Sequence, residues 1–105
     1  MKTIIFNEIL SAVEKATEID RALILSRSKQ PEVVEARSLL FHYLYAEKFT
    51  RSQIARMTGL TRQCVSVQVT HFDDRKKYGG NIMEIEMKKI DNTLKTKRLT
   101  WGIAE

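Results

Sequence analysis

The sequence predicts an all-α domain, a compact bundle of about six helices. Three observations carry this. Apolar residues recur at spacings of three and four through most of the chain, capping residues and Gly fall at the ends of those runs, and no segment reads convincingly as a strand. At 105 residues, 43% apolar and 30% charged, the chain has the size and composition of one globular domain. Residues 1–98 are expected to form it, with 99–105 as a C-terminal tail.

Phe6, Ile9, Leu10, Val13 and Thr17 share one helical face, with Glu8, Glu14, Lys15 and Glu18 opposite, which places a first helix over about Ile5 to Thr17. Asp20 suits the N-cap of a short second helix carrying Leu23 and Leu25, and the polar, basic stretch Ser26 to Gln30 reads as a surface loop. Pro31 fits the first turn of a third helix, where its missing N–H is harmless, and Glu32 complements the helix dipole. That helix should reach about Lys48. It is apolar around more than half its circumference and is the expected centre of the core.

Thr50 and Gln53 form a T-x-x-Q capping box that opens a fourth helix. Gly59 suits its left-handed end, and Thr61 caps a fifth helix from Arg62 to about Phe72. DDRKKYGG follows as a linker or frayed extension. Asn81 with Glu84 suggests another box, opening a sixth helix with Met83, Met87, Ile90 and Leu94 in one apolar stripe.

Charge is divided unevenly. Residues 1–50 carry seven Lys/Arg and seven Asp/Glu, whereas 51–105 carry eleven against six, so the whole net charge of +5 sits in the second half. Such a surface favours polyanions, because neutralising phosphates releases condensed counterions. The opening MKTIIFNEIL is interrupted by Asn7 and Glu8 before a signal-peptide core could form, and no apolar run approaches the roughly 18 residues of a membrane span. The single cysteine, Cys64, fits a reducing cytoplasm.

The segment RSQIARMTGLTRQCVSVQVTHF is the most informative. A short capped helix with Ala55 at its middle, Gly59 at a tight turn and Val65 in a second capped helix is the pattern of a helix-turn-helix over 50–72. With Val65, Val69 and Phe72 turned inward, the opposite face presents Arg62, Gln63, Ser66, Val67 and Thr70, short and free of acid. In a helix-turn-helix those positions meet base edges: Arg suits guanine, Gln suits adenine, and Val67 or the Thr70 methyl suits thymine. Arg51, Ser52, Thr61 and Lys76 are the expected phosphate contacts from this half, aided by the N–H groups of two helix N-termini. For Arg75, Lys76 and Lys77 solvation of a linker is the other reading.

The run from Ile9 to Asp74, in element order and in the LILSRSK and VVEAR segments before the helix-turn-helix, resembles the C-terminal DNA-binding domain of the bacterial replication initiator DnaA, a Trp-repressor-like fold. The resemblance implies phosphate contacts from the basic loop, by Arg27, Lys29 and Arg37. Pro31 and Glu32 stand where that family is more basic. Its recognition signature G-R-D-H-T-T-V is here Gly59, Leu60, Thr61, Arg62, Gln63, Cys64, Val65, which keeps the Gly and Val but implies a different DNA box. GLTRQCV looks instead like the recognition helix of transcription-repressor proteins. The initiator's Gly-rich nucleotide loop is missing.

Other readings are blander. Cys64 is expected to pack as a small semi-apolar residue, and His42 and His71 lack partners at metal-ligand spacing. Phe41, Tyr43, Tyr45 and Phe49 are expected in the core rather than as stacking platforms. No catalytic constellation is found, so neither an enzyme, a cofactor nor a small-molecule substrate is expected. Sequence-selective binding of double-stranded DNA in a regulatory or replication role is the leading expectation. The alternative is a protein-interaction module, or a homodimer, using Met83, Met87, Ile90, Leu94 and Trp101; for Trp101 a disordered tail is an equal reading.

Overall fold

The computed structural model describes the backbone of residues 2–104 and, apart from 79 and 102–104, their side chains. Among the described residues there are seven helices and no strand. They are α1 (Lys2–Thr17), α2 (Arg21–Ile24), α3 (Pro31–Ala46), α4 (Arg51–Thr58), α5 (Arg62–Thr70), and a helical run Phe72–Ala104. Gly80, at φ 62 and ψ −148, breaks that run into α6 (72–79) and α7 (81–104). The radius of gyration, 12.9 Å, is that of a close-packed chain of this length, about 13 Å.

The core is a three-helix layer of α1, α3 and α7. Ile9, Val13, Leu39, Leu40, Leu44, Ile90 and Leu94 are fully buried within it, each removing roughly 1.5–3 kcal/mol worth of apolar surface from water. Tyr43 on α3 reaches α7, its hydroxyl donating to Asp91 Oδ1 at 2.9 Å. Burial, and then that hydrogen bond, hold the Tyr43 phenol well above its ordinary pKa.

The stripe Met83, Ile90 and Leu94 belongs to this core, with Met87 partly buried against it, which corrects the expectation that it is a free contact surface. The correction extends to Trp101, which is 5% exposed with its Nε1–H donated to Glu8 Oε2 on α1. Residues expected as a tail continue α7 as far as Ala104, while Glu105 lies outside the described residues. A C-terminal aromatic at the right helical position seals the first helix.

The segment expected as a linker is also helical. Phe72 is buried and stacks face to face on His42, 3.9 Å between ring centroids, while Asp73 and Asp74 lie in the first turn, where the dipole favours acids. The interruption comes only at Gly80, in a backbone conformation open to glycine. No hydrogen bond of an Asn81–Glu84 box is found among the described residues.

Candidate nucleic-acid interface

The pair α4–α5 is assembled by local chemistry. Thr50 Oγ1 accepts from Gln53 N–H at 3.1 Å, and Gln53 Oε1 accepts from Thr50 N–H at 2.9 Å, so two otherwise orphan donors are satisfied. At the far end Gly59 adopts φ 77, and its N–H donates to Ala55 O at 2.9 Å. A methyl group there would meet nothing within 4 Å, so it is the left-handed φ, not space, that calls for glycine. Thr61 Oγ1 then accepts from Cys64 N–H at 3.1 Å and starts α5.

Ile54, Leu60 and Val65 close this corner from within. A contact missed in the sequence fixes α5 across the core helix: buried Ser38 Oγ donates to buried Gln68 Oε1 at 2.6 Å. The available signal was position, since Gln68 lies three residues beyond Val65 on the inward side.

With that side inward, Arg62, Gln63, Val67 and Thr70 are exposed and Ser66 is half-buried. Two cavities flank the first turn of α5. One, about 480 Å³, is lined by Tyr45, Lys48, Phe49, Thr50, Arg51, Ser52 and Arg62. The other, about 320 Å³, has Ser26, Arg27, Ser28, Lys29 and Arg37 on one wall and Thr61, Cys64 and Gln68 on the other. Arg62 and Cys64 sit two residues apart, so the cavities open on opposite sides of the helix.

Three cations away from these cavities are paired, while others, among them Lys15, Lys88, Lys89 and Lys95, make no ion pair among the described residues. Arg21 pairs with Glu14 at 2.8 Å, Arg98 with Glu47 at 2.8 Å and Lys97 with Glu8 at 3.7 Å. Among the described residues Arg27, Lys29, Lys48, Arg51 and Arg62 make no ion pair, and neither cavity has an acidic wall. Arg51 lies over the Tyr45 ring at 5.7 Å, which orients it without neutralising it.

No family model, curated protein or solved structure matches the chain.

Of the residues the sequence nominates for phosphates, Arg27, Lys29 and Thr61 meet at one cavity, and Arg51 and Ser52 at the other. Lys48 joins the second group although the sequence did not single it out. It follows the C-cap Glu47 of α3 at φ 72, and this left-handed turn carries the chain into the cavity wall. Lys76 lines neither cavity; its charge instead acts on His42, whose pKa is lowered chiefly by burial and then by Lys76.

Arg37 requires a correction. It is only 4% exposed, and its guanidinium donates to three carbonyls: Nε to Ile24 O at 2.8 Å, Nη1 to Ser28 O at 3.1 Å and Nη2 to Ser26 O at 2.6 Å. The loop carbonyls have no helix to bond within, and a planar donor fork on the inward face of α3 supplies what they lack. Burial lowers the Arg37 pKa, and Cys64 alongside opposes that shift. Arg37 therefore positions the loop that carries Arg27 and Lys29 rather than presenting its own charge to a phosphate. Tyr43 and Phe49 are buried as expected, whereas Tyr45 is 47% exposed at the cavity rim.

Proposed function

We propose that the chain binds double-stranded DNA selectively, with the N-terminal part of α5 in the major groove. One observation carries the reading: unpaired cations flank the first turn of α5 on both sides, as the two phosphate rails of a major groove would require. That groove, about 12 Å wide, admits one α-helix. Arg27, Lys29 and Thr61 face one strand, and Lys48, Arg51 and Ser52 the other. Arg62, Gln63, Ser66, Val67 and Thr70 meet the bases between them.

The resemblance to the initiator's DNA-binding domain supports a replication or regulatory role, and the single thiol fits a cytoplasmic setting. The alternative built on the stripe of α7 loses its contact surface, since Met83, Ile90, Leu94 and Trp101 are core.

Selection from random duplexes tests the proposal. A defined motif is expected, and Arg62→Ala should lower affinity for it by about 1–3 kcal/mol and relax one base position. Lys29→Ala should weaken binding to all sequences alike. Recovery of no motif, with no duplex binding at low salt, would remove this function.

A further inference from the structure

Gln68 lies on the inward side of α5, and the two polar atoms of its amide meet different surroundings. Oε1 accepts the hydroxyl proton of Ser38 on α3 at 2.6 Å, and this bond decides which way the amide turns. Ser38 is 1% exposed, so water does not compete for its one proton. Gln68 Nε2 has no hydrogen-bond partner among the described residues, yet it is not sealed from solvent as Glu35 Oε1 and Arg75 Nε are. The residue is only 9% exposed, and it lines the cavity of about 320 Å³ beside the first turn of α5. Two fixed N–H donors are thus turned toward that cavity from its inner wall.

The rest of the cavity suits an oxyanion. Arg27 and Lys29 on the loop wall make no ion pair among the described residues, and no acidic residue lines the site. Thr61, the cap of α5, brings the positive end of the helix dipole to the facing wall. Arg37, bonded to the Ile24, Ser26 and Ser28 carbonyls, ties the loop wall to α3. An amide turned the other way would present its oxygen and repel an anion; the Ser38 bond turns the donor outward instead.

We infer that Gln68 Nε2 donates to an oxygen of a phosphate group held in this cavity by Arg27 and Lys29. The DNA backbone is its source, because the cavity opens beside the turn of α5 assigned to the major groove, so the inference rests on that reading. Flexible cations attract any phosphate near them, whereas a buried amide of fixed orientation accepts one at a single depth. Gln68 therefore sets the register of the backbone against α5.

Duplex affinity and its salt dependence, compared for the wild-type chain and two Gln68 variants of unchanged circular dichroism, test this. Gln68→Glu keeps an oxygen for Ser38 and turns another toward Arg27 and Lys29. It should weaken binding to all duplexes by about tenfold or more and reduce the slope of log affinity against log salt by about 0.9, because one cation is neutralised. Gln68→Met should also weaken binding by about tenfold but leave the slope unchanged, since a neutral donor releases no counterion. In the wild-type chain the Gln68 side-chain amide resonances, identified by their absence from Gln68→Met, should shift on addition of duplex. Duplex binding that neither substitution weakens, or amide resonances that bound duplex does not move, would overturn this inference and leave DNA binding standing. Resonances that move with inorganic phosphate but not with duplex would show a free phosphate as the occupant and overturn the backbone as its source. A wild-type chain that binds no duplex would overturn the proposed function and this inference with it.

Discussion

The layer of α1, α3 and α7 and the edge formed by α2, α4 and α5 are held together in different ways. The layer closes on itself: its apolar stripes meet, and Lys97 and Arg98 on α7 tie it further to Glu8 on α1 and to Glu47 at the end of α3. The edge consists of short helices joined by caps, one left-handed Gly59 and two buried polar contacts, Arg37 to the loop carbonyls and Ser38 to Gln68. Its cations stay unpaired around the first turn of α5. The difference teaches that apolar burial is concentrated in the layer, while the edge gathers cations around cavities with no acidic wall, where an anionic ligand's contribution would be largest.

Three substitutions sharpen the division. Leu94→Ala, in the layer, should lower unfolding free energy by about 2–5 kcal/mol, through lost transfer energy and a cavity, as read by chemical denaturation. Arg37→Met should cost less, about 2–3 kcal/mol, because three loop carbonyls lose a charged donor. Its sharper signature is local, with faster hydrogen exchange across Ile24–Ser28 while α7 stays protected. Equal deprotection of both would mean that loop and layer are one unit.

Lys48→Gly has the smallest expected effect and an opposite sign in two assays. Relief of the left-handed backbone should raise stability by roughly 0.5 kcal/mol, net of the added freedom of the unfolded chain, while a cation leaves the cavity and duplex affinity falls. A loss of stability would show that the Lys48 side chain contributes packing that outweighs its backbone strain.

The parts legible in the sequence were those fixed within a few residues. Thr50 with Gln53, Gly59 and Thr61 announce the ends of α4 and α5 because caps are local chemistry. The stripe Met83–Leu94 announced a helix, but not what it packs on; its partner, α1, lies some eighty residues earlier in the chain. Trp101 was ambiguous for the same reason, since nothing near it names Glu8. DDRKKYGG lacks apolar periodicity, so only the anchoring of Phe72 on His42 reveals its helix. Arg37 was misplaced because a sequence shows a charge without showing that carbonyls converge on it. Lys48 was overlooked because a left-handed non-glycine residue has no sequence signal.

The central claim is that the unpaired cations beside α5 hold phosphates. The salt dependence of duplex binding tests it most directly, as the slope of log affinity against log salt for the wild-type chain and single alanine variants. Each of Arg27, Lys29, Lys48 and Arg51 should reduce the slope by about 0.9 on replacement, the contribution of one phosphate contact. Lys15→Ala, exposed on α1 away from both cavities, should leave it unchanged. Slopes that fall as much for Lys15 as for Lys29, or that fall for none of the four, would contradict the account.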